Sequence, residues 1–109
     1  MKHHLNPTDH SLTLIVPGDV LSTNAEQIRT EIFALFETAP VKAAEWTTLV
    51  LDLNAAKMID SVGLNLLVGL FKEAKKRGAK TSALINSPNL QRTFAFTRLD
   101  VHIQVILAK

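Results

Sequence analysis

The stretch that most limits the fold is an apolar run that leads, through a short polar loop, into a long amphipathic segment. Residues 46–53 end in Thr-Leu-Val-Leu-Asp-Leu, which is typical of a strand that is apolar on both faces at its centre. Residues 61–77 carry apolar side chains at helical spacing, and Gly78 suits the position that follows a helix C-terminus. The stretch therefore predicts a β–α unit, which is the repeating element of parallel sheets.

Ser61 stands where the loop of this unit becomes the helix. The first N–H groups of a helix have no partner within it, and the helix dipole places partial positive charge there. A phosphoryl group on the Ser61 hydroxyl would therefore fit without straining the fold. A simpler interpretation is also open, in which Ser61 or Asp60 is only the residue that caps the helix.

Four further segments have the composition of strands or of an extended edge. We predict strands at residues 2–5, 11–16, 46–53 and 81–85, the first of them as a short edge strand, and a final strand or extended tail at residues 101–107. Alternation of strands and helices, with connections long enough for right-handed crossovers, predicts an α/β fold. We expect one domain over residues 1–109, with a small mixed β-sheet of four to five strands packed with helices.

Two more helices are predicted from their start signals. Thr23 and Glu26 have the spacing of a capping box, so a helix should begin there, and Pro40 should close it. A loop is expected at residues 41–45. Ser87 followed by proline predicts the start of a third, short helix.

Two apolar stripes run along the helix that begins near Ser61. The first stripe, expected to face the core, consists of Leu64, Leu67, Val68, Phe71 and Ala74. The second consists of Val62, Leu66 and Leu70, and it is either a wide edge of the core or a docking surface. Asn65 and Gly69 continue the face of Ser61. A mid-helix glycine costs about 0.8–1 kcal/mol relative to alanine, so a close approach or tight internal packing is expected at Gly69.

The stretch Ile59-Asp60-Ser61-Val62-Gly63-Leu64, followed by an apolar helix with a basic end, resembles the signature of the STAS domain. This family includes bacterial anti-sigma-factor antagonists and the cytoplasmic domains of sulphate transporters. Residues 14–20 look like the family's strand that ends in Gly-Glu/Asp-aliphatic. The resemblance covers nearly the whole chain and implies a STAS fold, with Ser61 at the position of the family's phosphoacceptor serine.

The resemblance implies a regulatory protein-binding module rather than an enzyme. Unphosphorylated antagonists of the family bind an anti-sigma factor that is itself a serine kinase; the kinase phosphorylates and so releases them, and a metal-dependent serine phosphatase restores them. Phosphorylation at Ser61 would accordingly switch binding off. The partner-binding residues implied are Asp19, Ser22, Thr23, Asp60, Ser61, Val62, Asn65, Leu66, Gly69 and Leu70.

Two positions depart from the family's pattern and keep a second function open. Leu21 stands where antagonists commonly have an aspartate that helps phosphorylation, and Val62 replaces the second small residue after the serine. STAS proteins also serve as non-phosphorylated structural subunits of lipid-transport or stress-signalling complexes. A small enzyme or nucleotide binder is disfavoured, because no phosphate-binding glycine loop and no hydrolase serine motif is present in the sequence.

Composition narrows the class of protein further. The chain has 0 cysteines, which excludes disulfides and thiol chemistry and agrees with the cytoplasm as the expected location. A net charge of +2 without a basic stripe gives little support for nucleic-acid binding, and no apolar run is long enough to insert into a membrane. The four histidines lack metal-ligand spacing, so no metal site is expected. No catalytic constellation is recognisable in the sequence, and we expect no cofactor. We expect the protein alone to be a monomer.

Overall fold

The computed structural model describes residues 1–107, so the last two residues of the predicted 1–109 domain lie outside the described residues. Residues 1–107 contain five strands and four α-helices. The strands are β1 (Lys2–Asn6), β2 (Ser11–Ile15), β3 (Thr48–Leu53), β4 (Lys80–Ile85) and β5 (Gln104–Leu107). The helices are α1 (Ala25–Phe36), α2 (Ala39–Ala43), α3 (Ser61–Lys76) and α4 (Pro88–Phe96). The predicted class, a small mixed α/β fold, is confirmed.

The sheet follows the order of the chain, β1-β2-β3-β4-β5. Strand β1 pairs with β2 in the antiparallel sense, and β2 to β5 are all parallel. Each parallel connection passes through helical structure. Because the carboxyl ends of parallel strands meet at one edge, the loops after β2, β3 and β4 gather there.

The helices and one face of the sheet enclose the core. Across β2, β3 and β4, the side chains with 0% exposure on this face are Leu12, Leu14, Leu49, Leu51, Leu53, Ala83 and Ile85. Sequential strands joined by right-handed crossovers place their connections on the same face of a sheet, which explains this asymmetry. The central strand is apolar on both faces at its centre, as expected, but only one face is fully buried, since Val50 and Asp52 on the other face are half-buried.

Three other local predictions need correction. The expected loop at residues 41–45 is largely the short helix α2, which carries Pro40 in its first turn, where a missing N–H costs nothing. The predicted strand at 101–107 begins only at Gln104, after a 3₁₀ turn at Leu99–Val101. The capping box is misplaced, because Asn24 precedes α1 and its side chain makes no capping bond.

The buried stripe of α3 is rotated from the predicted one. Its buried residues are Gly63, Leu66, Leu67, Leu70 and Ala74, whereas Leu64, Val68 and Phe71 are only partly buried. The helix turns this way because Gly63, which has no side chain, lies against the backbone of Val20. The docking-surface interpretation is therefore wrong for Leu66 and Leu70, which are 4% and 1% exposed and belong to the core.

This correction yields a prediction for Leu66. Leu66→Ala should lower the free energy of unfolding by about 2–5 kcal/mol, because it removes a buried side chain and leaves a cavity. The neighbouring Asn65→Ala is the control: its side chain is exposed, so the change should stay within about 0.5 kcal/mol. Urea denaturation measures both variants. Equal stabilities of the two would contradict the assigned orientation of α3.

Candidate functional site

The site is built where the β2–α1 loop meets the β3–α3 loop at the carboxyl edge of the sheet. Val20 and Ile59 form an isolated parallel bridge between the two loops. The N–H of Val20 donates to the carbonyl of Met58, and the N–H of Asp60 donates to the carbonyl of Val20, both at 3.3 Å. The bridge extends the pairing of β2 with β3 and brings the start of α3 beside the loop before α1.

Asp19 links these two loops through hydrogen bonds. Its Oδ1 accepts hydrogen bonds from the N–H groups of Lys57 at 2.7 Å and Met58 at 3.2 Å. On the other side, the Asn24 side chain donates to the carbonyl of Asp19 at 2.8 Å and accepts from the N–H of Leu21 at 2.8 Å. Asp19 thus lies beside the site, as the sequence suggested, but its carboxylate is committed to the backbone.

Asp60 is the residue that caps α3, and Ser61 is the first residue of the helix. Its Oδ1 accepts from the N–H of Gly63 at 2.9 Å, and its Oδ2 accepts from the N–H of Ser22 at 2.7 Å. These hydrogen bonds, first from Gly63 and then from Ser22, hold the pKa of Asp60 below its ordinary value of 3.8. One carboxylate therefore closes the helix N-terminus and ties the β2–α1 loop to it.

Gly63 allows α3 to pack closely against the β2–α1 loop. A Cβ built on Gly63 would collide with the carbonyl oxygen of Val20 and would lie 2.7 Å from Cγ2 of Ile59. No side chain larger than hydrogen fits between the helix and the loop. The glycine of the Asp-Ser-x-Gly pattern is therefore required for close approach rather than for an unusual backbone angle.

Ser61 is the first residue of α3, and its side chain is exposed. Because Asp60 supplies the cap, the Ser61 hydroxyl is not needed to hold the helix. Two exposed apolar side chains stand near it in the chain, Met58 at 54% and Val62 at 44% exposure. Sequence reasoning missed Met58; an apolar residue placed in a polar loop just before a helix start was the available signal.

The structure brings together most of the predicted partner-binding residues, but not all on the surface. Ser22, Thr23, Ser61, Val62 and Asn65 are exposed around the start of α3. Gly69 lies further along the helix and is half-buried, and a Cβ added to it would have Nη1 of Arg29 as its nearest neighbour, at 3.8 Å. The expected close approach or tight packing at Gly69 is therefore not found, because the only neighbour among the described residues is the end of a flexible arginine at an ordinary contact distance.

The first turn of α4 also reaches this edge, which the sequence did not suggest. The Asn89 side chain donates to the carbonyl of Lys57 at 3.3 Å, and the Ser87 hydroxyl caps α4 by accepting from the N–H of Leu90. Within residues 1–107, no group of three or more acidic, histidine or cysteine side chains is placed to hold a metal ion. In the same part of the chain, no helix has the length and apolar character needed to cross a membrane.

Comparison with known proteins agrees with this architecture. A family model described as the STAS domain matches residues 4–108. A candidate anti-sigma factor antagonist of Thermotoga maritima has a TM-score of 0.80 at 18% identity, with 99% of this chain and 86% of that one covered. An anti-sigma factor antagonist of Mycobacterium paratuberculosis gives 0.72 at 22% identity, covering 95% and 83%.

A third similar structure is the Bacillus cell fate determinant SpoIIAA in its phosphorylated form. Its TM-score is 0.63 at 24% identity, and the match covers 99% of this chain and 92% of that one. The same protein, an anti-sigma factor antagonist, is also known in its unphosphorylated form. Likeness at this level of identity establishes a shared fold.

The Asp60 cap predicts a pH dependence of stability. Because the folded-state pKa of Asp60 is lowered, the unfolded chain binds this proton more tightly, and stability falls as the pH falls. The contribution of Asp60 should be complete above about pH 4 and should be lost as the pH drops through the folded-state pKa. Urea denaturation between about pH 2 and pH 6 should show that the free energy of unfolding falls less steeply with decreasing pH in Asp60→Asn than in the parent. Glu31→Gln, which removes an exposed carboxylate from α1, should retain the slope of the parent.

The two glycines of α3 predict opposite effects of the same substitution. Gly63→Ala should destabilise the protein by about 1–3 kcal/mol, because the new methyl group meets backbone that cannot move away. Gly69→Ala should stabilise it by about 0.5–1 kcal/mol, because alanine favours the helix and the contact with Arg29 is ordinary. Thermal and urea unfolding of both variants check the pair. Destabilisation by both to the same extent would argue against the packing described at Gly63.

Proposed function

This chain belongs to the STAS domain family, and we propose that it is an anti-sigma-factor antagonist whose binding is switched off by phosphorylation at Ser61. The proposed partner is an anti-sigma factor that is also a serine kinase, with a metal-dependent serine phosphatase to reverse the modification. The domain then acts by binding and release rather than by catalysis, in the cytoplasm. The proposal rests on the exposure of Ser61 at the start of α3, where Asp60 rather than Ser61 caps the helix.

Because Asp60 rather than Ser61 caps α3, the Ser61 hydroxyl is available as a phosphoacceptor. If the Ser61 hydroxyl itself capped α3, it would be engaged with a backbone N–H and less accessible to a kinase. Here the cap bonds to Gly63 and Ser22 belong to Asp60. The hydroxyl of Ser61 can therefore react while the helix and both loops stay in place.

The charge balance at this position favours a switch that leaves the fold intact. A phosphoryl group adds about −1.5 to −2 charges near pH 7. An exposed anion at a helix N-terminus is favoured by about 0.3–1 kcal/mol, and the neighbouring Asp60 carboxylate opposes it by a comparable amount. The net effect on the free energy of unfolding should be small.

The effect on a bound partner is larger. The partner would have to cover an anion beside the exposed apolar side chains of Met58 and Val62. Burying an unpaired charge costs several kcal/mol, and each 1.4 kcal/mol corresponds to about a tenfold loss of affinity. Phosphorylation would therefore release the partner by obstructing the interface.

The proposed interface consists of side chains that reach the surface at the start of α3 and in the β2–α1 loop. We assign direct contact to Ser22, Thr23, Met58, Val62 and Asn65, which are exposed. Asp19 and Asp60 have a positioning role, because their carboxylates hold backbone N–H groups. Leu66 and Leu70 support the interface from the core.

Leu21 favours one alternative, a structural STAS subunit that docks without being phosphorylated. Where antagonists commonly carry an aspartate, this chain presents a half-buried leucine. Asp19 is a poor substitute, because its carboxylate already accepts from Lys57 and Met58. A subunit of a lipid-transport or stress-signalling complex could use the same exposed surface with Ser61 unmodified.

Reaction with the cognate kinase distinguishes the two functions. Incubation with that kinase and ATP should add one phosphoryl group, detected by intact mass, and peptide mapping should place it on Ser61. Ser61→Ala should abolish the mass increase while the melting temperature stays unchanged. Modification at Ser22, Thr23 or Ser87 with Ser61 untouched would refute the assignment, and no modification would favour the structural subunit.

Partner affinity provides the second arm of this experiment. Ser61→Asp carries about half the charge of a phosphoryl group. It should bind the partner at least tenfold more weakly than Ser61→Ala while its amide NMR spectrum changes only near α3. Gln104→Glu, which adds the same charge at the opposite edge of the sheet, should bind like the parent. Equal affinities of the two Ser61 variants would contradict the obstruction mechanism.

A further inference from the structure

The sheet has two edge strands, and they differ in charge. Within residues 1–107, β1 pairs with β2 alone and β5 pairs with β4 alone. The outer N–H and C=O groups of an edge strand can pair with another strand, and charged side chains, lysine above all, commonly prevent this. Strand β1 carries Lys2, His3 and His4, whereas β5 has the uncharged sequence Gln-Val-Ile-Leu. The edge at β5 is therefore the one open to pairing.

Both faces of β5 are partly exposed. In the parallel register Val105 lies beside Ala83, a core residue that faces the helices. Because side chains alternate along a strand, Val105 and Leu107 share that face. Val105 is nevertheless only half-buried, and Leu107 is 38% exposed. On the opposite face, Ile106 is 43% exposed. The apolar side chains of β5 are thus incompletely covered by the rest of the described chain.

The neighbouring helix leaves space beside this strand. A cleft of about 380 Å³ lies between α4, the 3₁₀ turn at Leu99–Val101 and β5, and its lining is uncharged except for Asp100. The large apolar side chains with the greatest exposure in residues 1–107 are Phe96, at 90%, and Val101, at 74%. They belong to α4 and to the 3₁₀ turn, which both contact β5. Exposed apolar surface is therefore concentrated around the elements where a second strand would enter.

We propose that the protein forms a weak homodimer in which the β5 strands of two copies pair in the antiparallel sense and join their sheets. A two-fold axis perpendicular to the sheet relates the copies, so every side chain stays on its own face of the joined sheet. Ile106 of one copy then lies opposite Gln104 or Ile106 of the other, and neither arrangement brings charges together. Each β5 supplies the backbone donors and acceptors that the edge of the other leaves unpaired.

Charge and symmetry favour this pairing over the other two edge-to-edge contacts between copies. Pairing of β1 with β1 would place the Lys2 ammonium groups of both copies along one strand pair, where like charges oppose association. Pairing of β5 with β1 would leave an unpaired edge on each copy, so the assembly would grow without closing. Pairing of β5 with β5 is uncharged and closes at two copies.

The short contact limits the strength of the dimer. Strand β5 has 4 residues and is about 13 Å long at 3.3 Å per residue. An interface along so short a strand buries less than the roughly 800 Å² per partner of a stable complex, so association should be weak. The dilute protein is then the monomer expected from the sequence.

This surface is separate from the proposed partner interface. Ser61 follows β3, and β4 lies between β3 and β5 in the sheet. Antiparallel pairing also turns the carboxyl edges of the two sheets in opposite directions, so the start of α3 stays uncovered in both copies. The dimer therefore does not depend on whether Ser61 is phosphorylated.

Sedimentation equilibrium from micromolar to millimolar protein tests the proposal. The parent should pass from monomer to dimer without larger species. Ile106→Lys should weaken association at least tenfold, because it places an ammonium group of each copy in the shared strand pair. Ile15→Lys is the matched control: Ile15 is 38% exposed on the same face of the sheet, but β2 is not an edge strand, so the dissociation constant should change less than twofold. Both substitutions are at exposed positions, so the melting temperature of the dilute protein should stay close to that of the parent.

Amide hydrogen exchange measured by NMR locates the contact. Protection of the N–H groups in residues 104–107 should rise with protein concentration in the parent and in Ile15→Lys, but not in Ile106→Lys. The proposal is overturned if the parent stays monomeric at millimolar concentration, if larger assemblies form, or if amide protection in β5 does not change on association. It is also overturned if Ile15→Lys weakens association as much as Ile106→Lys, which would indicate that the open faces of two sheets stack instead.

Discussion

The carboxylate of Asp60 joins the start of α3 to the β2–α1 loop, which is far away in sequence. The candidate site at the carboxyl edge of the sheet depends on that contact. One oxygen closes the N-terminus of α3 at Gly63, and the other holds the N–H of Ser22 in the β2–α1 loop. Val20 completes the junction, since its carbonyl accepts from Asp60 and leaves room only for a glycine at position 63. The orientation of α3, and with it the choice of buried stripe, follows from this packing.

At this contact between the two loops, some polar residues stabilise the fold and another is free to react. Asp19 and Asp60 both satisfy backbone N–H groups that would otherwise be unpaired in loops. Ser61 is not needed to cap the helix, because Asp60 does so, and it is exposed beside Val62. A chemical change at the serine can therefore alter what a partner meets while the groups that define the fold keep their bonds.

Much of the fold was predictable because local rules were strong there. The strand at Thr48–Leu53, the helix from Ser61, the cap at Ser87 and the left-handed glycine at Gly78, with φ of +79°, all follow from composition and turn chemistry. Predictions failed where two local interpretations were nearly equal. Pro40 can end one helix or begin the next, and here it begins α2. Asn24 turned its side chain toward Asp19 and Leu21 instead of capping α1.

Local sequence patterns were enough to predict the strands and helices and the position of Ser61 at the start of a helix, because these features depend on contacts between residues close in the chain. Tertiary structure alone decided that Leu66 and Leu70 face the core, that Asp60 rather than Ser61 is the cap, and that Met58 joins the exposed surface. Both apolar stripes of α3 satisfy the same helical periodicity, so periodicity could not choose between them. The choice came from the close contact between Gly63 and Val20, which lie in segments that only folding brings together.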